Sequence, residues 1–195
     1  MSSSKGICKN RIILFQSLVE LMRDKPFESI IVDEITEKSM LSRGTFYRYV
    51  ADKNDLLSFG ISYYSGEAIK EMGIPESWES GSIFRIINVF FHYLEKRKRM
   101  LESLLGPHAP AFVHQQIMEI VVNYIKNCIF YVYSEKSVPF AQQFLSSLIA
   151  KIIMGSIKEW PTLSLKQRDY MVKCFCNFVS QGLSGFVNLH PTFGQ

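Results

Sequence analysis

The sequence predicts an all-α protein. Apolar residues recur three and four positions apart along nearly the whole chain of 195 residues, which is the spacing of one face of an α-helix. No segment of any length alternates apolar and polar residues as a half-buried strand would. Hydrophobic residues make up 47% of the chain, which is enough to form a core between the helices.

The first helix is predicted over residues 10–23, after a serine-rich tail at residues 1–9. One stripe of this helix carries Ile12, Phe15, Val19 and Met22. The pattern stops at the stretch DKPFES. The first helix therefore has one apolar face to pack against the elements that follow it.

Two short helices and a longer one are predicted next. The short helices cover residues 32–39 and 42–50, with a turn at residues 40–41 between them. Asp52 is expected to act as the N-cap of a longer helix that runs toward Met72.

A boundary is predicted at residues 74–82, where the stretch IPESWESGS breaks the helical pattern. Four longer helices are expected after it, over residues 82–104, 110–134, 139–159 and 164–187, the last with Ser164 as its N-cap. The predicted domains are therefore residues 1–55 and 73–195, and the helix at residues 52–72 connects them.

Composition narrows the classes of protein that fit. The net charge of +4 permits an anionic partner without requiring one. The apolar run IILF near the start is too short for a secretory signal, and the later stretch FLSSLIAKIIMGSI is too polar to span a bilayer. A soluble cytoplasmic protein without a membrane partner is expected.

The sequence offers no constellation of catalytic residues. It contains neither a GxSxG motif nor a P-loop, and its four cysteines are interpreted as ordinary reduced thiols. The histidines do not form pairs at the spacing of metal ligands. We therefore expect that the protein is not an enzyme and holds no cofactor or metal.

The short helix at residues 42–50 divides its side chains between two faces. On a helical wheel the inner face carries Phe46, Tyr49 and Val50, and the outer face carries Arg43, Gly44, Tyr47 and Arg48. Guanidinium groups, a phenol and a position without a side chain suit the major groove of a DNA duplex, and Ser42 and Thr45 add hydroxyls at the margin. The wheel alone also allows a helical hairpin with a solvated face.

The segment from Phe27 to Leu57 resembles the DNA-binding domain of the TetR/AcrR family of bacterial transcriptional regulators. The matching positions are Val32, Ile35, Ser42, Gly44, Thr45, Phe46, Tyr47, Tyr49, Asp52, Lys53, Leu56 and Leu57. The resemblance implies an N-terminal three-helix helix-turn-helix domain that binds double-stranded DNA. It further implies a C-terminal helical bundle that binds a small-molecule effector and forms a homodimer through the last two helices, so the operator is expected to be an inverted repeat. A repressor is the expected class.

The resemblance also implies roles for single residues. The positions of Arg43, Gly44 and Tyr47 meet the major groove in the family, and those of Thr45, Tyr47, Tyr49 and Lys53 commonly meet phosphates. The helical wheel places Tyr49 on the inner face, so the two arguments disagree at this residue. Together the arguments assign DNA binding to Ser42, Arg43, Gly44, Thr45, Tyr47, Arg48, Tyr49 and Lys53.

Three residues depart from the family pattern. Ile31 stands where a threonine usually caps the second helix and touches a phosphate, so that contact is expected to be lost. Met40 replaces the usual glycine of the turn, which costs about 1 kcal/mol or more if the residue there is left-handed. Asp33 favours the helix dipole but opposes a phosphate.

The second domain is rich in aromatic residues along its first two predicted helices. These residues either line a pocket for an apolar effector or form a packed aromatic core. In the first case His92, His114, Asn123 and Tyr124 are the candidate polar contacts to the effector. An alternative function is an interaction protein with this fold that signals through a partner protein rather than through DNA.

Overall fold

The computed structural model describes residues 2–74, 80–133 and 139–189, and these ranges contain helices and no strand. The helices are α1 (Ser2–Leu21), α2 (Val32–Ser39), α3 (Arg43–Tyr49), α4 (Lys53–Met72), α5 (Ser80–Lys96), α6 (Lys98–Leu105), α7 (Ala111–Tyr133), α8 (Pro139–Glu159) and α9 (Leu165–Leu189). Short 3-10 helices lie at Phe27–Ser29 and Trp160–Thr162. The predicted all-α class is confirmed.

Two predicted helix starts are supported by capping hydrogen bonds. The Asp52 carboxylate accepts hydrogen bonds from the backbone N–H groups of Asn54 and Asp55, both at 2.8 Å. At the start of α9 the Ser164 hydroxyl accepts from the Gln167 backbone N–H at 3.4 Å, and the Gln167 side chain accepts from the Ser164 backbone N–H at 2.9 Å. This reciprocal pair is a capping box.

Two helix boundaries differ from the prediction. Helix α1 begins at Ser2, so the expected tail over residues 1–9 is wrong from its second residue onward. The segment contains no proline, and a helix that is already nucleated extends at low cost through residues of middling propensity. The helix predicted over 82–104 is two helices, α5 and α6, which meet at Arg97.

The break at Arg97 lies where the chain passes from one compact unit to another. One unit comprises Met1–Glu67 and Arg97–Ile117, and the other comprises Ala68–Lys96 and Met118–Gln195. Tertiary packing therefore overrides the strong helix propensity of the sequence EKRKRML at this point. Of the predicted boundary at 74–82, residues 75–79 lie outside the described residues.

The first unit packs α1, α2, α3 and the start of α4 around a continuous core. Its fully buried side chains include Leu14, Phe15, Leu18, Ile35, Phe46, Leu56 and Leu57. Residues 97–117 join this unit through specific contacts. The Phe27 backbone N–H donates to the His108 carbonyl at 2.9 Å, and the rings of Phe27 and Phe112 meet edge to face at 6.4 Å.

The second unit has an aromatic centre. Phe91 of α5 stacks on Trp160 at 4.5 Å and meets Phe175 of α9 edge to face at 6.2 Å. Beside this cluster the Trp160 indole N–H donates to the Glu95 carboxylate at 3.0 Å, and the buried Arg168 pairs with the same carboxylate. These contacts tie α5 and α9 to the segment between α8 and α9.

The packing units and the predicted functional domains are different divisions. Residues 97–117 pack with the N-terminal helices, although the sequence assigned them to the second domain. The division into a DNA-binding part and an effector-binding part concerns function and stays a prediction. No helix among the described residues is long and apolar enough to cross a bilayer.

Candidate nucleic-acid interface

The turn between α2 and α3 has a left-handed residue at its centre. Met40 adopts φ 56 and ψ 29 at the C-terminus of α2, and its side chain is 93% exposed. The backbone N–H of Leu41 donates to the Thr36 carbonyl at 3.0 Å, which closes the end of the helix. The turn therefore has the left-handed conformation in which glycine is the usual residue, and the Cβ of Met40 makes this conformation less favourable.

Replacing Met40 with glycine is expected to stabilise the protein by about 0.5–1 kcal/mol. Glycine relieves the contact between Cβ and the backbone, and an exposed methionine loses little packing. Met40→Ala is the control, because alanine keeps the Cβ and should leave stability nearly unchanged. Urea denaturation followed by circular dichroism measures the difference; equal stability of the glycine and alanine variants would contradict the expectation.

Helix α3 has one buried and one exposed face, as the helical wheel predicted. Phe46 is fully buried and Val50 is 3% exposed, whereas Tyr47 is 53% exposed. Arg43, Gly44 and Arg48 are exposed as well. Tyr49 is half-buried, so the inward placement predicted by the helical wheel is only partly met. Its predicted contact with a phosphate stays a prediction.

The start of α3 is fixed by its own hydroxyls. The Ser42 hydroxyl accepts a hydrogen bond from the Thr45 backbone N–H at 3.1 Å and lies 2.9 Å from the Thr45 hydroxyl oxygen. Ser42 is therefore the N-cap of α3, a position at which serine is strongly preferred. The cap and the buried Phe46 hold the exposed face of this short helix in a defined orientation.

Arg43 is paired within the protein. Its Nη1 atom lies 2.8 Å from Oδ1 and 3.0 Å from Oδ2 of Asp33, in the first turn of α2. Both side chains are more than half exposed, at 61% and 54%. The sequence identified Asp33 only as a carboxylate near the predicted DNA surface, and its pairing with Arg43 depends on the geometry of the turn.

The start of α2 is capped without a side chain from Ile31. That residue is the N-cap and is 57% exposed, and its backbone N–H donates to the Glu34 carboxylate at 3.0 Å. Lys25 forms an ion pair with the same carboxylate. Two contacts lower the pKa of Glu34: the hydrogen bond from the Ile31 backbone has the larger effect, and the contact with Lys25 has the smaller. The predicted loss of a phosphate contact at Ile31 stays a prediction.

Lys53 is held by the protein itself. Its ammonium donates to the carbonyls of Phe27, Glu28 and Ile30 at 2.8, 2.9 and 2.8 Å. It also lies 4.6 Å from the centre of the Phe27 ring. An ammonium has three hydrogens, and all three are directed to these carbonyls. A phosphate contact by Lys53 would require this arrangement to change, and the contact stays a prediction.

The four candidate effector contacts occupy different environments. His92, His114 and Asn123 are exposed, and His114 belongs to the first unit whereas the other three belong to the second. The half-buried Tyr124 donates through its hydroxyl to the Gly73 carbonyl at 2.7 Å. Burial raises the pKa of Tyr124 and also raises the pKa of the neighbouring Cys128 to about 11. Effector contact by these four residues stays a prediction.

The aromatic residues of the second unit include a packed core. Phe91 and Tyr93 are 3% and 5% exposed, and Tyr93 clusters with Ala68 and Met72. Phe90 and Tyr124 pack against that cluster and are only partly buried. The structure therefore supports the packed-core interpretation for Phe91 and Tyr93.

Comparison with solved structures finds the same fold in regulators of transcription. The dihydroxyacetone kinase operon activator DhaS matches with a TM-score of 0.59 and 15% identity, over 95% of this chain and 98% of that chain. The fatty acid degradation regulator FadR from Bacillus halodurans matches with a TM-score of 0.63 and 13% identity, over 89% and 96%. The TetR family repressor AlkX from Dietzia sp. strain DQ12-45-1b reaches a TM-score of only 0.43 at 13% identity, over 88% of this chain and 95% of that chain.

The sequence itself matches no protein-family model and no curated protein. At the identities found, the likeness to DhaS and FadR is one of fold. The fold is all-α, and α2 and α3 form a helix-turn-helix near the N-terminus. Within this fold, residues 27–57, which resemble the TetR/AcrR DNA-binding domain, form α2, α3 and the first residues of α4.

Proposed function

We propose that the protein is a transcriptional regulator that binds an inverted-repeat DNA operator as a homodimer. The observation that carries the proposal is the exposed face of α3, where Arg43, Gly44, Tyr47 and Arg48 lie on a helix anchored by the buried Phe46. The structures with the same fold are described as an operon activator and a fatty acid degradation regulator.

The chemistry of this face suits the major groove. Arginine side chains donate in pairs to guanine, and a tyrosine hydroxyl reaches phosphates or base edges. Gly44 has no side chain, and the nearest atom to a Cβ added there would be the Ser42 hydroxyl at 3.8 Å. The helix backbone can therefore approach the duplex closely at this position.

A homodimer is supported by exposed apolar side chains on the last two helices. On α9 Tyr170 and Phe178 are 71% and 51% exposed, and Cys174 lies between them at a spacing of four residues, so all three share one face. On α8 Leu148 is 41% exposed. Apolar groups of this size on adjacent turns are typical of a surface that a partner covers.

The dimer proposal is tested by replacing Phe178 with glutamate. A charge at this position should disfavour burial of the α9 face, so the variant is expected to sediment as a monomer where the unaltered chain sediments as a dimer. Lys173→Glu, an exposed position on the same helix, is the matched control. A Phe178→Glu variant that remains dimeric would exclude this face as the interface.

A small-molecule effector that binds the predicted second domain, residues 73–195, is also proposed, with repression as the proposed outcome of DNA binding. This proposal rests on the resemblance of residues 27–57 to the TetR/AcrR family. One of the structures with this fold is described as an activator, so whether the protein represses or activates transcription has to be measured separately. A reporter gene placed behind the operator, with and without the protein, decides it.

The proposed function is tested by selecting random DNA duplexes on the purified full-length protein at near-physiological salt. Enrichment of an inverted repeat with half-sites about 34–36 Å apart is the expected result. Retention of DNA without a shared sequence, or of no DNA, would overturn the proposal. That outcome would favour the second candidate function, an interaction protein that acts through a partner protein, which is consistent with the involvement of Arg43 and Lys53 in contacts within the chain.

A further inference from the structure

The pair formed by Asp33 and Arg43 links α2 to the exposed face of α3. Both contacts are made by a single nitrogen of the guanidinium, Nη1, which lies 2.8 and 3.0 Å from the two carboxylate oxygens. An arginine side chain has donors on Nε, Nη1 and Nη2, arranged in a rigid plane. The edge formed by Nε and Nη2 is therefore not used by Asp33.

That remaining edge is one that recognises guanine. Two parallel N–H groups of a guanidinium match the O6 and N7 acceptors that guanine presents in the major groove. An arginine held at Nη1 has already lost much of its side-chain freedom, so less entropy is lost when it binds a base. A carboxylate on the protein side of the arginine thus favours one orientation of the guanidinium.

The same carboxylate affects all DNA, whatever its sequence. Asp33 lies in the first turn of α2 and is 54% exposed, so its negative charge faces the solvent near Arg43. A negative charge beside a DNA backbone opposes the phosphates, which supply most of the affinity for non-specific DNA. In a protein that binds DNA as proposed, a carboxylate at this position would lower binding to every sequence and, by orienting Arg43, would lower it least for a sequence that offers guanine.

We propose that Asp33 is a positioning residue that determines specificity: it orients Arg43 toward a guanine in each half-site and suppresses binding to DNA without that guanine. This inference rests on the proposed function of the protein in DNA binding. Asp33, which departs from the family pattern, thereby has a role in recognition. The sequence alone indicated only that it repels phosphates.

The test compares Asp33→Asn with Glu37→Gln in the full-length protein. Glu37 is an exposed residue of the same helix, and both substitutions change a carboxylate to an amide. Each variant is subjected to selection of random duplexes, and its affinity is then measured for the selected operator and for operators altered at each position.

The expected result separates charge from positioning. Both variants should bind non-specific DNA more tightly, because each removes one negative charge. Only Asp33→Asn should reduce the preference for guanine at one position of each half-site, by about three- to tenfold. In an Arg43→Ala background the preference for guanine at that position should already be reduced, and Asp33→Asn should not reduce it further.

Two outcomes overturn the inference, and they are distinct. If the unaltered protein selects an operator and Asp33→Asn keeps the full preference for guanine, Asp33 has no positioning role and the proposed function stands. If the unaltered protein selects no shared sequence, the proposed function fails, and the inference fails with it. Circular dichroism of each variant shows whether the helices are retained.

Discussion

Replacing Arg43 with alanine is expected to weaken binding to the selected operator by roughly 10- to 100-fold. The Arg43 side chain is 61% exposed at the first position of α3, and its loss removes a pair of donors to a base edge. The fold should be retained, because the side chain contributes only an exposed ion pair with Asp33 to stability. Fluorescence anisotropy with labelled operator measures the loss.

The control for this prediction is Arg99→Ala, which removes the same charge from an exposed position on α6. If Arg43 acts only through its charge, the two variants should weaken specific and non-specific binding alike. If Arg43 contacts a base, only Arg43→Ala should reduce the ratio of the affinity for the operator to the affinity for random DNA. Unaltered operator affinity in the Arg43→Ala variant would exclude Arg43 from base recognition, and unaltered affinity in Tyr47→Ala as well would exclude α3 as the helix that recognises the sequence.

Replacing Gly60 with alanine is expected to destabilise the protein by roughly 2 kcal/mol. A Cβ added at this position of α4 would lie 1.9 Å from Cδ2 of Phe15, whose ring is fully buried. Neither helix can yield without disturbing the core of the first unit, so the clash outweighs the higher helix propensity of alanine. Thermal and urea denaturation measure the change.

Gly66 provides a matched control on the same helix. Nothing lies within 4 Å of a Cβ added there, and the residue is exposed, so Gly66→Ala should stabilise the protein by about 1 kcal/mol. The opposite signs at two glycines of one helix isolate the close approach to Phe15. A Phe15→Leu substitution should recover part of the loss at Gly60, and equal effects at both glycines would contradict the packing described for α4.

The helices were largely predictable because their signals are local. Apolar spacing and capping residues lie within a few positions of one another, so Asp52 and Ser164 marked the starts of α4 and α9 correctly. The division of α3 into a buried and an exposed face follows from the same periodicity. The extension of α1 to Ser2 and the break at Arg97 depend on propagation and on packing with distant segments, which periodicity does not describe.

The candidate site was predictable in its residue types but not in its contacts. The exposed positions of Arg43 and Tyr47 could be read from the helical wheel. The partners of Arg43 and Lys53 are 10 and at least 23 residues away in the sequence, and no local pattern connects them. These partners lie in the first turn of α2 and in residues 27–30 just before it, and the three-dimensional course of this segment decides which polar groups meet.

The contacts of Lys53 have a consequence for how the N-terminal unit opens. The ammonium joins the start of α4 to the backbone that precedes α2, at Phe27, Glu28 and Ile30. Any fluctuation that separates these segments must break three charge-assisted hydrogen bonds together. Local unfolding of α2, α3 and the first turns of α4 is therefore expected to be cooperative, and hydrogen exchange of their amides should report one common free energy of opening. Helix α3 then keeps its orientation until the whole group opens.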